Sequence, residues 1–307
     1  MRFTKGHGTG NDFVLLPDPD GQLGLTSSIV AALCDRRRGI GADGVLRVVR
    51  AAKHPDAVGY AGAAEWFMDY WNADGTLAEM CGNGVRVFAR YLISSGLAEP
   101  VDGLLPIATR AGVVRAEVGG EKISVDLGRP RIIGSALATL GGLTLAGTAV
   151  DCGNPHLVCV LPESVDLAGL DLTRSPGFDP AAFPTGVNVE FVAAGDDLAD
   201  RVGGDWTRHS SATSWHSPHG APPVGGADRH VRMRVYERGS AETLSCGSGA
   251  CAVAAVALRD AGRTGGVVAV DVPGGRLTVT LEDGSCWLAG PAVLVAQGEI
   301  DLATLGA

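Results

Sequence analysis

The sequence predicts an α+β fold of two pseudo-symmetric lobes, each a mostly antiparallel sheet wrapped around a central helix, with an active site in the cleft between them. Three observations lead there. A length of 307 residues is long for one core and suits two domains of roughly 140 to 150 residues each. Short apolar runs separated by glycine outnumber helical patterns. Two turns of the form Cys-Gly-x-Gly, Cys81-Gly82-Asn83-Gly84 and Cys246-Gly247-Ser248-Gly249, each run directly into a helix-forming stretch.

Residues 3–16 read as strand, glycine-rich turn and strand, with Asn11 at the head of the second strand. A linker rich in Asp, Pro and Gly precedes a helix from Ser27 or Ser28 to Arg38, stopped by Gly39. Gly41-Ala42-Asp43-Gly44 turns into a strand over 45–49, and residues 64–71 form another. Asn72-Ala73-Asp74-Gly75 is a turn that leads to the Cys81 helix, whose apolar residues recur at helical spacing. Alternating runs from 104 to 128 are further strands. The first lobe is therefore placed at 1–128 and the second at 129–292, with a C-terminal segment of about 293–307 packing back on the first.

The second lobe repeats the order of the first. Placing Cys246 on Cys81 sets Met233 on Met68, Tyr236 on Trp71, Glu237 on Asn72 and Gly249 on Gly84. Earlier landmarks recur as well: Asn11-Asp12-Phe13-Val14 against Asn154-Pro155-His156-Leu157, and Gly41-Ala42-Asp43-Gly44 against Gly186-Val187-Asn188-Val189. The growing offset locates an insertion at about 203–228, rich in Ser, Gly, Pro and His and carrying Trp206 and Trp215. Its His209, His216 and His219 fit no standard metal spacing, and no metal site is assigned.

Composition narrows the function. A net charge of −9 without a clustered basic face argues against nucleic acid, and no apolar run reaches the ~18 residues of a membrane span. Seven cysteines without a C-x-x-C pair argue against a disulfide framework or structural zinc. With no secretory signal in Met1-Arg2-Phe3-Thr4-Lys5-Gly6, a cytoplasmic protein with a small-molecule substrate is expected. A homodimer is compatible with the sequence.

A cysteine at a helix entrance meets unpaired backbone N–H groups and the positive end of the helix dipole, which favour a thiolate and attract an anion. A lone cysteine is more often a packed core thiol. Two in matching turns, facing each other across a ligand, suit removal of a proton from one face of a carbon and delivery to the other. The glycine-turn amides can bind a carboxylate beside that carbon and stabilise its developing charge. Cys34, Cys152, Cys159, Cys251 and Cys286 read as core packing.

These motifs, with Gly8-Thr9-Gly10-Asn11-Asp12-Phe13, Gly39-Ile40-Gly41-Ala42-Asp43-Gly44, Gly153-Asn154-Pro155-His156 and the run from Glu237 to Ala250, resemble the diaminopimelate epimerase family over nearly the whole chain. The resemblance implies a cofactor-independent epimerase of lysine and peptidoglycan precursor synthesis, with Cys81 and Cys246 as its proton-transfer pair. It further implies that Asn11, Asn72, Asn154, Asn188 and Arg238 hold a dicarboxylic diamine. Gly82, Asn83, Gly247 and Ser248 would present main-chain N–H groups to the carboxylate at the inverting centre, and Glu237 and His156 would support it.

The chain departs from the family pattern at three positions. Ala241 stands where the family usually has glycine, and could impose a φ angle that only glycine accepts cheaply. Ser248 replaces threonine and keeps the hydroxyl, whereas Gly44 replaces a frequent glutamine. Rival readings are a racemase of proline, hydroxyproline or histidine, a binding protein without turnover, and a thiol hydrolase with His156 as base. The hydrolase would leave the second cysteine turn unexplained.

Overall fold

The structure, a computed structural model, describes residues 1–120, 122–193 and 226–302. His209, His216, His219, Trp206 and Trp215, with the insertion up to residue 225, lie outside the described residues. The chain divides into two compact units, one formed by Met1–Asp126 with Ala289–Ala307, the other by Leu127–Leu288.

In the first unit, β1 (Arg2–Gly8), β2 (Asn11–Pro17), β3 (Gly44–Arg50), β4 (Trp66–Asn72), β5 (Leu104–Thr109), β6 (Gly112–Gly119) and β7 (Lys122–Asp126) pair in sequence order. The C-terminal strand Val293–Glu299 adds antiparallel to β1. Two of these contacts are parallel, β2 with β3 and β4 with β5; the rest are antiparallel. Parallel neighbours need a crossover, and the chain between β4 and β5 supplies it as a helix, Gly82–Ser94. That helix packs against all the strands of its unit. Val85, Val87, Phe88, Ala89, Tyr91 and Leu92 are buried, and so is Arg86.

The crossover between β2 and β3 holds α1 (Ser27–Cys34), so the long helix is α2. The helix expected to reach Arg38 stops four residues earlier. Asp35 leaves helical geometry with ψ 118°, and its carboxylate accepts from the Arg37 and Arg38 amides, each at 2.8 Å. An Asp that satisfies backbone donors this way competes with the helix.

The second unit repeats the plan. Its strands are β8 (Arg131–Leu140), β9 (Leu143–Asp151), β10 (Pro155–Val160), β11 (Gly177–Phe178), β12 (Asn188–Ala193), β13 (Arg229–Glu237), β14 (Ala241–Thr243), β15 (Gly266–Val272), β16 (Gly275–Glu282) and β17 (Ser285–Pro291). The antiparallel pair β9–β10 matches β1–β2, and the parallel pair β10–β12 matches β2–β3. Antiparallel β12–β13 and parallel β13–β15 then match β3–β4 and β4–β5. The helix α3 (Gly247–Asp260) occupies the place of α2 and packs on β9, β10, β12, β13, β15 and β16. Its Ala, Val and Cys side chains join Val231, Met233, Val268, Val270, Leu277 and Val279 in one buried cluster. In each unit, strands of mixed direction surround a nearly fully buried helix, as expected of the α+β lobes.

Candidate active site

Both cysteines of interest cap their helices. Cys81 has φ −145° and ψ 119°, and its Sγ accepts the Gly84 N–H at 3.4 Å. Cys246 has φ −118° and ψ 113° at the corresponding position of α3. Extended geometry at the N-cap turns each side chain toward the first-turn amides, which a helix leaves without intrahelical acceptors. Gly82 and Asn83, and likewise Gly247 and Ser248, open their helices as the sequence requires.

The surroundings of Cys81 are assembled on the β1–β2 turn. Asn11 heads β2; its Nδ2 donates to Asp43 Oδ2 at 2.8 Å, so its Oδ1 faces Cys81 Sγ at 3.6 Å and accepts from Asn83 Nδ2 at 3.3 Å. Asn83 is in turn held by Arg86, whose Nη2 donates to Asn83 Oδ1 at 2.9 Å and to Thr9 Oγ1 at 2.8 Å. Thr9 has φ 54°, a costly conformation for a β-branched residue, and Arg86 grips the strained turn from below. Asn72 ends β4, where Nδ2 donates to Thr76 Oγ1 at 3.0 Å. The role of Arg86, buried behind the helix entrance, was not read from the sequence, although an arginine on an apolar helix face is a visible signal.

The surroundings of Cys246 have a different chemistry. His156 on β10 and Glu190 on β12 are both fully buried, with His156 Nδ1 2.6 Å from Glu190 Oε1 and His156 Nε2 3.0 Å from Asn154 Oδ1. His156, Glu190 and Cys246 each bring a ligand-type atom within 4.8 Å of the others. The facing atoms of His156 and Glu190 are already joined at hydrogen-bond length, so a proton, rather than an ion, fits between them. Burial pushes the Cys246 thiol well above its usual range, and the carboxyls of Glu237 and Glu190 push it further; the Gly249 amide and Ser248 hydroxyl pull the other way. Burial also raises Glu190. Glu237, at the end of β13, accepts from the Thr243 hydroxyl.

Asn188 is committed to the backbone: Nδ2 donates to the Pro155 carbonyl at 3.1 Å, and Oδ1 accepts the Arg238 amide at 2.9 Å. It thereby ties β10, β12 and the exposed Arg238 together, and Arg238 Nη1 reaches the Thr185 carbonyl at 3.0 Å. Cys34, Cys159, Cys251 and Cys286 are buried as expected. Cys152 is partly buried and packs against the core cluster around α3, as expected, while its Sγ donates to the Ser248 carbonyl at 3.5 Å. Ala241 has φ 59°, the angle that favours glycine. Gly44 has no room for a side chain, since a Cβ there would lie 2.5 Å from the Trp71 carbonyl oxygen.

The sequence model of diaminopimelate epimerase matches residues 3–133 and 223–299. The chain belongs to the diaminopimelate epimerase family. The diaminopimelate epimerase of Rhodococcus opacus is 46% identical over 98% of this chain and 97% of its own length. The corresponding proteins of Mycolicibacterium paratuberculosis and Streptomyces coelicolor are 48% identical over 98% of this chain and 47% identical over 99%. Among solved structures, a probable proline racemase from Agrobacterium radiobacter shares the fold with a TM-score of 0.63 at 15% identity, covering 98% of this chain and 93% of that one. A PhzF-family protein from Enterococcus faecalis does so with a TM-score of 0.62 at 14% identity, covering 98% of both chains. The fold class read from the sequence and this family membership agree.

Proposed function

We propose that this member of the diaminopimelate epimerase family interconverts LL- and meso-2,6-diaminopimelate in the cytoplasm, in lysine and peptidoglycan precursor biosynthesis. The observation that carries the mechanism is the duplication of a cysteine at the entrance of a buried helix, once in each unit. One thiol from each half-site serves the same α-carbon: one, as thiolate, removes the α-proton, and the other, as thiol, delivers a proton to the opposite face. The roles exchange with the direction of reaction, so neither cysteine is dispensable.

Proton removal places charge on the α-carboxylate. The first-turn amides of Gly82 and Asn83 and of Gly247 and Ser248 are suited to stabilise it, because they stay fixed while the charge develops. In this reading Asn11, Asn72, Asn154, Asn188 and Arg238 hold the polar groups of the substrate. Amides suit a zwitterion since each both donates and accepts, while a guanidinium can fork onto a carboxylate. Glu237 and His156 orient the reacting centre. Among the described residues no helix is long and apolar enough to cross a membrane.

The decisive experiment incubates purified protein in D₂O with LL-diaminopimelate, and separately with proline, hydroxyproline and histidine, without added cofactor. Chiral chromatography and mass spectrometry then follow the products. Inversion of diaminopimelate with one deuterium gained at the inverted carbon is expected, and Cys81→Ala and Cys246→Ala should each abolish it. Normal inversion by either single variant would overturn the two-thiol assignment.

A further inference from the structure

The two units fill the same slot beneath the cysteine turn with different chemistry. In the parallel pair β2–β3, Phe13 lies opposite Gly44; in β10–β12, His156 lies opposite Asn188. This register sets His156 on Phe13, and, two residues along the partner strand, Glu190 on Leu46. The helix entrances confirm the match. A Cβ at Gly84 would lie 3.5 Å from Leu46 Cδ2 and 3.6 Å from Phe13 Cζ, whereas a Cβ at Gly249 would lie 2.7 Å from Glu190 Oε1 and 3.3 Å from Cys246 Sγ. Phe13, Leu46, His156 and Glu190 are all fully buried.

An apolar pair therefore suffices to hold the cysteine turn in the first unit. Burying a carboxyl and an imidazole in its place is costly unless they pair, and a well-packed apolar pair is often as stable. Packing alone does not explain the polar pair, and Gly249 leaves room for the Glu190 carboxyl to approach Cys246.

We propose that Glu190 is a positioning residue for the reaction at Cys246: through its hydrogen bond to His156 it fixes the imidazole, and its carboxyl holds Cys246 in the thiol form that delivers a proton. The inference rests on the two-thiol reading of the function. Both ring nitrogens of His156 face oxygen atoms, Nε2 that of Asn154 Oδ1 and Nδ1 that of Glu190 Oε1, so the imidazole and the Glu190 carboxyl share the proton on the Nδ1–Oε1 line and the carboxyl keeps part of its negative charge. Glu190 Oε2 is buried without a hydrogen-bond partner, a site that disfavours a full carboxylate. The upward push of burial on Glu190 agrees. The titratable groups around this centre are His156 on β10, Glu237 at the end of β13, Asp151 and Cys152 before β10, Cys159, and Cys246 with Cys251 on α3.

The sign follows. The negative charge that Glu190 keeps raises the Cys246 thiol, so replacing the carboxyl lowers it. The test measures site-resolved alkylation of Cys246 by iodoacetamide against pH, together with kcat and KM in both directions. Two variants are used: Glu190→Gln, and the double variant His156→Phe with Glu190→Leu, which copies the packing of the first unit. Both are expected to shift the Cys246 alkylation profile to lower pH by about one unit. They should also lower kcat about tenfold with a smaller change in KM. A wild-type alkylation profile in the folded variants would overturn the proposal, even with reduced kcat, since a merely structural residue would not move that profile. The alkylation readout needs no turnover. If Cys246→Ala kept normal inversion, the functional reading would fail while the coupling of Glu190 to Cys246 could still be measured.

Discussion

Asp43 sets which way the Asn11 amide faces: its carboxylate accepts from Asn11 Nδ2 at 2.8 Å and leaves Oδ1 directed at Cys81 Sγ, 3.6 Å away. Asp43 is itself held by Arg36 at 2.7 Å, and it accepts the Asp12 amide at 3.1 Å. With Asp43→Asn the carboxamide can offer either face, and the Asn11 amide is no longer fixed. A loss of about tenfold in kcat/KM is expected, with little change in melting temperature, measured by steady-state kinetics and thermal unfolding.

Ala241 at φ 59° pays the cost of a Cβ in the left-handed region, on an exposed position in β14. Ala241→Gly should stabilise the protein by about 1 kcal/mol, offset in part by the greater freedom of the unfolded chain. Urea denaturation followed by circular dichroism measures it. A midpoint that falls would show that the turn tolerates the alanine without strain.

Differences in burial predict the order of thiol labelling. Cys81 is partly exposed at a helix entrance, whereas burial holds Cys34 and Cys159 up at about 12 each, and Cys152 higher still. Iodoacetamide near neutral pH is therefore expected to modify Cys81 first, with activity lost in parallel. Peptide mapping by mass spectrometry reads the order, and prior labelling of Cys34 or Cys159 would contradict it.

Acid should loosen the second unit through Asp271. Burial would raise this carboxyl, but Arg276 at 2.5 Å and His230 at 2.6 Å overcome it and hold it at about 2, below the ordinary value of 3.8. A depressed carboxyl contributes stability that is present above about pH 4 and lost as the pH falls toward 2. Asp271→Asn should unfold more easily at neutral pH and show a flatter pH dependence between 4 and 2, as measured by urea unfolding across that window.

The duplicated plan was legible because strand pairing and helix entrances leave short-range marks. Glycine turns, the Asn at the head of β2 and the Cys-Gly-x-Gly pattern all recur in the sequence in the same order. Glu190 was not legible. It sits in Asn188–Ala193, a strand whose first five residues are all buried, so no alternation of polar and apolar residues distinguishes an inward acid from an outward one. Which partner takes each end of the Asn188 amide was not legible either, because it depends on where β10 and Arg238 lie in space. The early end of α1 likewise depends on how Asp35 uses its carboxylate, since the helical pattern itself continues to Arg38.

The closing strand Val293–Glu299 has a consequence for how the chain is made. The first unit needs it beside β1, and the amino group of Met1 bonds the carbonyl of Ile300 at 2.6 Å while the Ile300 amide returns to Met1 at 2.8 Å. During synthesis, residues 1–126 thus precede the strand that β1 needs beside it. The second unit, drawn from a single run of chain, is complete before they are. Chain order and completion of the units therefore run in opposite directions: the unit whose strands come first in the chain is completed by the later strand Val293–Glu299.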